Sequence, residues 1–311
     1  NKGEVYAVVN NYRNFDFKAY LFRNRDYGKT WESLLTNQPE TFGYSLSLVQ
    51  DPIERKLLFL GTENGLYMSL DEAKTWTKWT SNYPSVPTMD LMIHPREHDL
   101  DVATFGRSFY VFDDIRPLRE LAKSGENLLN AKIKIFDAPT AYISKEQEPS
   151  GTRFGGNAMF NGENRKRGAM ISYVINKNEH TDEPKENEEE IKTSAKDSLV
   201  VKIYNSRNEL IRTLKNKVPE DNGLNRMYWN MDEKGVYKPS RTVTNSNIEP
   251  SGVSVMPGAY KLVIDYQSVK DSAMIKVASD PRIPVSEEIL QKRYDLLKEL
   301  EKKMDLAYRA V

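Results

Sequence analysis

Few side chains in this sequence could perform catalysis, and they do not fall into a catalytic pattern. The 311 residues include three histidines and no cysteine, which excludes thiolate metal sites, disulfides and cysteine nucleophiles. His94 and His98 are four residues apart, a spacing that would suit a metal on a helix, but Pro95 follows the first of them and favours a turn. We therefore predict no catalytic residue, no bound metal and no cofactor.

Carboxylates that could cleave a glycosidic bond are present, but their positions do not pair them. Glycoside hydrolysis requires two carboxyl groups at a defined separation across the sugar. The available side chains are Glu63, Asp90, Asp113 and Asp114, and the sequence does not show which two would face each other. A glycoside hydrolase, sialidase-like or glucanase-like, with its active site mostly outside this chain stays open as an alternative.

Composition indicates a folded protein without a strong electrostatic field. Lys+Arg and Asp+Glu both total 45, so nothing in the net charge would attract nucleic acid or an anionic membrane surface. Aromatic residues make up 10%, which is too many for a disordered chain. No apolar run reaches the roughly 20 residues that cross a bilayer. We predict neither a nucleic-acid partner nor a transmembrane segment.

Two internal similarities indicate a repeated β structure. Residues 24–31 (NRDYGKTW) and 69–76 (SLDEAKTW) share Asp, Lys, Thr and Trp at an offset of 45 positions. A second, gapless comparison at an offset of 43 places residues 51–62 on residues 94–105. Each unit consists of short β-runs separated by turn residues, and a period of about 40–50 residues is typical of propeller blades.

The two octets resemble the Asp-box, or bacterial neuraminidase repeat, S/T-x-D-x-G-x-T-W. Asn24 replaces the first hydroxyl residue, and Ala73 replaces the glycine of the second copy. The resemblance implies turn-forming roles: the aspartate accepts backbone N–H groups, the glycine supplies positive φ and the tryptophan packs into the sheet. The structural positions are Asp26, Gly28, Thr30 and Trp31 in the first box and Asp71, Thr75 and Trp76 in the second.

Residues 104–118 (TFGRSFYVFDDIRPL) resemble the closing blade of bacterial sortilin-like propellers, T-H-G-R-G-x-W-V-x-D-D-I-x-P-L. These proteins are often labelled glycosyl hydrolases because of their repeats. The fold expected from this resemblance is mostly β: a partial β-propeller of two to three last blades, then an antiparallel β-sandwich and a C-terminal α-helix. Because a closed propeller needs about four or more blades, we expect a C-terminal fragment completed by upstream blades or a partner chain.

Four segments are predicted from this organisation. Residues 1–117 form the last propeller blades, 118–167 a linker, 168–282 the sandwich and 283–311 the helix. Within the sandwich, VKIYNSRNELIRTL predicts a hairpin, and alternation places Met227, Trp229 and Met231 on one face. This order of strands resembles an immunoglobulin-like or fibronectin-like module.

The C-terminal segment has a helical period. Ser286 is the predicted N-cap. The apolar stripe consists of Leu290, Tyr294, Leu297, Leu300, Met304, Ala307 and Val311. Such a helix lies across its own domains or pairs with another helix.

A ligand is expected at the end of the sheets opposite the Asp-boxes. Successive turns of a meander lie at opposite ends, so the turns at 62–65 and 104–108 share the other end. Their candidate binding residues are Arg107, Glu63 and Asn64, although Arg107 could instead hold adjacent blades together. The resemblance implies a non-enzymatic binding or scaffold protein of the bacterial envelope. It would be periplasmic, outer-membrane-associated or secreted, with a protein, peptide or glycan as its ligand.

Overall fold

The computed structural model describes residues 3–35, 42–144, 162, 165–177, 198–241 and 248–310. The chain divides into two compact units, Asn1–Leu128 and Leu129–Val311. Antiparallel sheets dominate both, and a helix ends the second. The predicted mostly-β class with a C-terminal helix is therefore confirmed.

The first unit contains three antiparallel sheets in which neighbouring strands of the chain are paired. The first sheet consists of β1 (Val5–Asn11), β2 (Asp16–Asn24) and β3 (Glu32–Ser33). The second consists of β4 (Ser45–Gln50), β5 (Leu58–Thr62), β6 (Gly65–Ser69) and β7 (Thr77–Lys78). The third consists of β8 (Thr88–Ile93), β9 (Leu100–Thr104) and β10 (Phe109–Phe112).

The strand pairings of these sheets are equivalent. Asn24 pairs with Val5 in the first sheet, and Ser69 pairs with Leu58 in the second. Strands β1, β2 and β3 therefore correspond to β5, β6 and β7. By the same comparison, β8, β9 and β10 correspond to β4, β5 and β6. The second sheet contains all four strands of the repeat.

The gapless comparison of residues 51–62 with 94–105 was wrong over β5 and β9. The first turn closes between Asp51 N and Leu57 O at 2.9 Å, whereas the second closes between His94 N and Asp99 O at 2.8 Å. The second turn is one residue shorter, so Leu58, not Leu57, corresponds to Leu100. Turns accept such a deletion, whereas a one-residue slip inside a strand would turn its buried side chains outward.

Strand β5 is buried on both faces. Its side chains from Leu58 to Leu60 are completely inaccessible to solvent, as is the preceding Leu57. A strand covered on both faces has a continuous apolar sequence instead of alternation, which explains the run LLFL. The core beside it joins Leu60 and Tyr67 of the second sheet to Leu21 of the first.

A short helix and a 3-10 turn (Gly125–Leu128) end the first unit. Helix α1 (Arg116–Ser124) carries Pro117 in its first turn, where proline is tolerated, and buries Leu118 and Leu121. It overlaps the segment predicted as a linker over residues 118–167. Strands β11 (Ile133–Ile135) and β12 (Ala141–Ile143) also lie in that segment and join sheets of the second unit. Residues 145–161, 163 and 164 of the segment lie outside the described residues.

The second unit contains two larger sheets and a two-stranded ribbon. One sheet is β11–β13–β16, with β13 at Ala169–Ile175 and β16 at Gly223–Trp229. The other is β12–β20–β19–β14–β15, with β14 at Ser198–Tyr204, β15 at Leu210–Lys217, β19 at Gly258–Tyr266 and β20 at Val269–Ser279. The ribbon pairs β17 (Asp232–Lys234) with β18 (Ser251–Ser254).

Both larger sheets contribute side chains to one hydrophobic cluster. Trp229 lies fully buried in it, and its Nε1 donates a hydrogen bond to Asp232 O at 2.9 Å. Met227 and Met231 are buried as well, as the alternation predicted. The predicted hairpin is formed by β14 and β15, whose turn closes with Asn205 N donating to Glu209 O at 3.1 Å.

Helix α2 (Glu287–Arg309) begins at the predicted N-cap, because Ser286 Oγ accepts the N–H of Ile289 at 3.4 Å. The helix packs on its own unit. Tyr294 Oη donates to Glu233 Oε1 at 2.6 Å, and Lys298 Nζ donates to Glu233 Oε2 at 3.1 Å. Neither described helix is long and apolar enough to cross a membrane.

The predicted stripe on α2 is correct at four of its positions and wrong at two. Leu290, Tyr294, Leu297 and Met304 are half-buried. Leu300 and Ala307, however, are exposed, and Val311 lies outside the described residues. The contacting row continues through Glu301 and Tyr308, because Lys298 binds Glu301 and the Tyr308 ring packs 5.6 Å from that of Tyr237.

Candidate functional site

The first Asp-box forms a closed turn between β2 and β3. Asp26 Oδ1 accepts the backbone N–H of Thr30 at 2.9 Å, and Oδ2 accepts the Thr30 hydroxyl at 2.7 Å. The Asn24 amide donates to Asp26 Oδ1 at 2.6 Å and accepts the N–H of Gly28 at 2.7 Å. The hydrogen bond from the backbone N–H of Thr30, and then the bond from its hydroxyl, lower the pKa of Asp26. Both carboxylate oxygens are therefore engaged within the turn.

The second Asp-box, between β6 and β7, repeats this arrangement. Asp71 Oδ1 accepts the backbone N–H of Thr75 at 2.9 Å, and Oδ2 accepts the Thr75 hydroxyl at 2.7 Å. Ser69 Oγ donates to Asp71 Oδ1 at 2.8 Å and accepts the N–H of Ala73 at 2.9 Å. Burial acts to raise the pKa of Asp71, but the hydrogen bonds from Thr75 and Ser69 outweigh it and lower the pKa.

Departures from the motif leave the turn geometry unchanged. Asn24 replaces a hydroxyl residue, and its side-chain amide both donates and accepts as Ser69 does. Ala73 has φ +66°, and the equivalent Gly28 has φ +89°. An alanine therefore holds the left-handed conformation that the motif assigns to glycine.

The two box tryptophans differ in burial. Trp76 is half-buried and packs against the core that includes Leu21 and Leu60. Trp31 leaves 49% of its surface exposed. The second box thus packs its tryptophan against this core, whereas the first leaves about half of its tryptophan in water.

The opposite end of the sheets carries a surface we call the loop face, formed by residues 12–17, 43–44, 62–65 and 104–108. Tyr44 connects the first two sheets here: its carbonyl accepts the N–H of Glu63 at 3.0 Å, and its ring stacks on Tyr12. The third sheet joins the second through Ser47 Oγ, which donates to Thr88 O at 3.2 Å. This is the end at which the sequence predicted a ligand.

Aromatic side chains cluster on the loop face. The rings of Tyr12 and Tyr44 lie 4.7 Å apart with an interplanar angle of 24°, and Phe17 lies 6.3 Å from Tyr44. Phe15 projects from the same turn with 88% of its surface exposed. We call Tyr12, Phe15, Phe17 and Tyr44 the aromatic platform. Sequence reasoning missed it, although aromatic residues in the asparagine-rich turn NNYRNF were an available signal.

Two of the predicted binding residues lie beside this platform. Glu63 and Asn64 are half-buried, and both touch the position of Gly43. A Cβ added to Gly43 would lie 2.9 Å from Glu63 Cβ and 3.0 Å from Asn64 Nδ2. Burial and then the charge of Glu63 raise the pKa of Tyr44. The structure thus brings Glu63 and Asn64 together with Tyr44.

The third predicted binding residue, Arg107, is not part of that group. Its side chain is exposed in the turn 104–108. A hydrogen bond from Thr104 N to Ser108 O at 3.0 Å closes this turn. Within the part of the chain that the structure describes, its guanidinium forms no ion pair. Phe105 and Phe109 flank it and are also exposed. Arg107 therefore does not join adjacent sheets by a salt bridge to described residues.

His94 has a local structural role. Its Nδ1 accepts the backbone N–H groups of Arg96 and Glu97 at 3.3 and 3.1 Å. Asp51 does the same in the equivalent turn, where Oδ1 accepts the N–H groups of Ile53 and Glu54 at 2.9 and 2.7 Å. Across the described ranges, no group of three or more His, Asp or Glu side chains is placed to hold a metal ion.

The other candidate carboxylates are dispersed. Asp114 is fully buried and accepts a hydrogen bond from Arg116 Nε at 2.6 Å. Asp90 lies on β8 and accepts the N–H of Leu91 at 2.9 Å. Of the four carboxylates considered for hydrolysis, the loop face contains Glu63.

In comparisons with known proteins, no family model matches the chain, and no curated protein matches it either.

Proposed function

We propose that the first unit is part of an Asp-box β-propeller of the sortilin-like kind, and that its loop face binds a protein, peptide or glycan without catalysis. The observation that carries the proposal is the occupation of both carboxylate oxygens of Asp26 and Asp71 by their own turns. A carboxylate so engaged is a turn-forming residue. It is poorly placed to act as an acid or nucleophile toward a ligand on the loop face.

The propeller part of the proposal is supported by the repeat in three dimensions. Three consecutive antiparallel sheets have the same strand order and equivalent registers. Their central strand, β5, is covered on both faces, as expected when sheets stack face to face as blades. Upstream blades or a partner chain would complete the array.

We propose that the second unit is an immunoglobulin-like or fibronectin-like sandwich that acts as a spacer or docking module. The support is a single hydrophobic cluster shared by its two larger sheets, the arrangement of sandwich cores. The proposed location is the bacterial envelope or exterior. It rests on the Asp-box and closing-blade motifs.

The loop face suits binding better than bond cleavage. Its exposed aromatic rings offer large apolar contact area at a low cost in side-chain entropy. Glycosidases instead place two carboxyl groups about 5–9.5 Å apart with the sugar between them. On the loop face, Glu63 lies beside Tyr44 and Gly43, and both oxygens of Asp16 accept hydrogen bonds, from Lys18 N at 3.2 Å and Tyr20 Oη at 2.8 Å. In the hydrolase alternative, the active site would be formed mostly by blades outside this chain.

The test is a pair of measurements on the purified chain. Titration calorimetry with oligosaccharides and peptides is expected to give saturable binding, and reducing-sugar assays on polysaccharides and sialosides are expected to give no turnover. Glu63→Gln is the informative variant. Its matched control is Glu97→Gln, a half-buried glutamate in the β8–β9 turn at the other end. Turnover that is abolished by Glu63→Gln and kept by Glu97→Gln would contradict the non-enzymatic proposal.

A further inference from the structure

Phe15 is a large aromatic residue at a turn position whose left-handed backbone conformation favours glycine or asparagine. It has φ +60° and ψ 24° at the end of the short helical turn Tyr12–Asn14, where glycine or asparagine is the usual residue. Its backbone N–H donates to Tyr12 O at 3.0 Å, a bond that any residue except proline could make. A bulky aromatic side chain here reduces stability in two ways: its backbone conformation is strained, and its apolar ring stays in water. Such a residue is a candidate for a binding role where other observations point to a ligand.

Three other rings of the platform contact one another next to the turn that carries Phe15. Tyr12 and Tyr44 come from different sheets and stack, and Phe17 packs at an angle beside Tyr44. The faces of aromatic rings are apolar and carry partial negative charge. They attract the weakly positive C–H groups that one face of a hexose ring presents.

Neutral amides lie in the turns and at the strand end next to the platform residues. Asn10 Nδ2 donates to Ser45 O at 3.3 Å, and Asn14 Nδ2 donates to Asn11 Oδ1 at 2.6 Å. Asn64 lies at the Gly43 side. Each amide both donates and accepts hydrogen bonds, which suits hydroxyl groups that do the same.

Charges at the platform are balanced. Arg13 and Lys18 are exposed cations, and Asp16 and Glu63 are the neighbouring anions. Arg13 lies 5.8 Å from the ring centroid of Tyr12. A strongly charged ligand would meet charges of both signs here, so electrostatics would not select it.

We propose that the aromatic platform binds a neutral glycan, a chain of hexoses or N-acetylhexosamines without carboxylate or sulfate groups. This inference rests on the proposed function and names the ligand class of the same surface. The exposed rings of Phe15 and Phe17 stack on the sugar faces, the Tyr12–Tyr44 pair supports them, and the amides with Glu63 bind the hydroxyl groups.

The experiment is titration calorimetry of the purified chain with three neutral hexasaccharides, built from glucose, mannose and N-acetylglucosamine. Sialylated oligosaccharides and one acidic and one basic peptide are the comparison probes. The key variant is Phe15→Gly, which removes the ring and relieves the backbone conformation. Tyr27→Gly is the matched control, because Tyr27 has φ +58° and is 80% exposed at the Asp-box end.

We expect at least one neutral hexasaccharide to bind, with affinity about tenfold weaker in Phe15→Gly and within about twofold of the parent in Tyr27→Gly. Phe15→Gly should unfold at no lower urea concentration than the parent, which separates a binding loss from a folding loss.

The other outcomes separate this inference from the proposed function. Equal effects of the two variants, or binding restricted to peptides or sialylated probes, would overturn the neutral-glycan platform and leave a binding module. Hydrolysis of a bound hexasaccharide would support the platform and overturn the non-enzymatic proposal. Failure of every probe to bind would contradict both.

Discussion

Asp51→Ala is expected to destabilise the first unit by about 4 kcal/mol or more. Asp51 is 2% exposed, and its Oδ1 accepts two backbone N–H groups of its turn. Its Oδ2 accepts a hydrogen bond from Arg119 Nε at 2.8 Å, and Arg119 is buried too. Loss of the turn bonds costs about 1 kcal/mol. A buried guanidinium left without its carboxylate costs about 3–5 kcal/mol.

The equivalent turn of the repeat supplies the control. His94 accepts two N–H groups as Asp51 does, but it has no ion pair with α1. His94→Ala should therefore cost about 1 kcal/mol, and the difference between the two alanine variants isolates the ion pair. Arg119→Met, alone and with Asp51→Ala, completes a double-mutant cycle whose coupling energy should be favourable by about 2–3 kcal/mol.

Urea unfolding followed by tryptophan fluorescence is the assay, because Trp31, Trp76 and Trp79 all belong to the first unit. Equal losses of stability in the Asp51 and His94 variants, within about 0.5 kcal/mol, would show that the ion pair does not stabilise the unit. A coupling energy near zero in the cycle would show the same.

Three further substitutions test separate features. Gly28→Ala should lower the free energy of unfolding, measured in urea, by only about 1 kcal/mol. No atom lies within 4 Å of the added Cβ, and Ala73 already occupies the equivalent position. A loss above about 3 kcal/mol would exceed this conformational cost. Burial raises the pKa of Tyr173 from 10.0 to about 12, so its contribution to stability is complete below pH 10 and is lost as pH rises towards 12. Tyr173→Phe should therefore reduce the alkaline fall in stability of the second unit, and an unchanged pH profile would count against burial as its cause. Tyr294→Phe removes the 2.6 Å hydrogen bond to Glu233 and should speed amide hydrogen exchange in α2 about fivefold to tenfold. Equal acceleration of exchange in every strand of the unit would instead indicate global destabilisation.

Features that depend on neighbours in sequence were predictable. The Asp-box turns follow from an aspartate four residues before a threonine, whose hydrogen bonds all lie within the octet. The N-cap at Ser286 and the hairpin around Asn205 are equally local. Their geometry needs only a few residues, so residue types in order are sufficient.

Features that join distant segments were not predictable in the same way. Asp51 and Arg119 are 68 positions apart, and no periodicity relates α1 to that turn. The helical period of α2 placed Leu300 in the contacting row, but packing on Glu233 placed Glu301 there instead. A period describes one element, whereas a contact depends on the position and angle of two.

The sequence by itself determined the repeat, the turns that close it and the alternation of buried side chains, because these depend on short-range hydrogen bonds and on a strand period of two. Only the tertiary structure decided which turn residues meet at the loop face. Tyr12 and Tyr44 belong to different sheets, and their rings stack because those sheets pack side by side. The distances between packed sheets arise from the whole core, and no local run of residues encodes them.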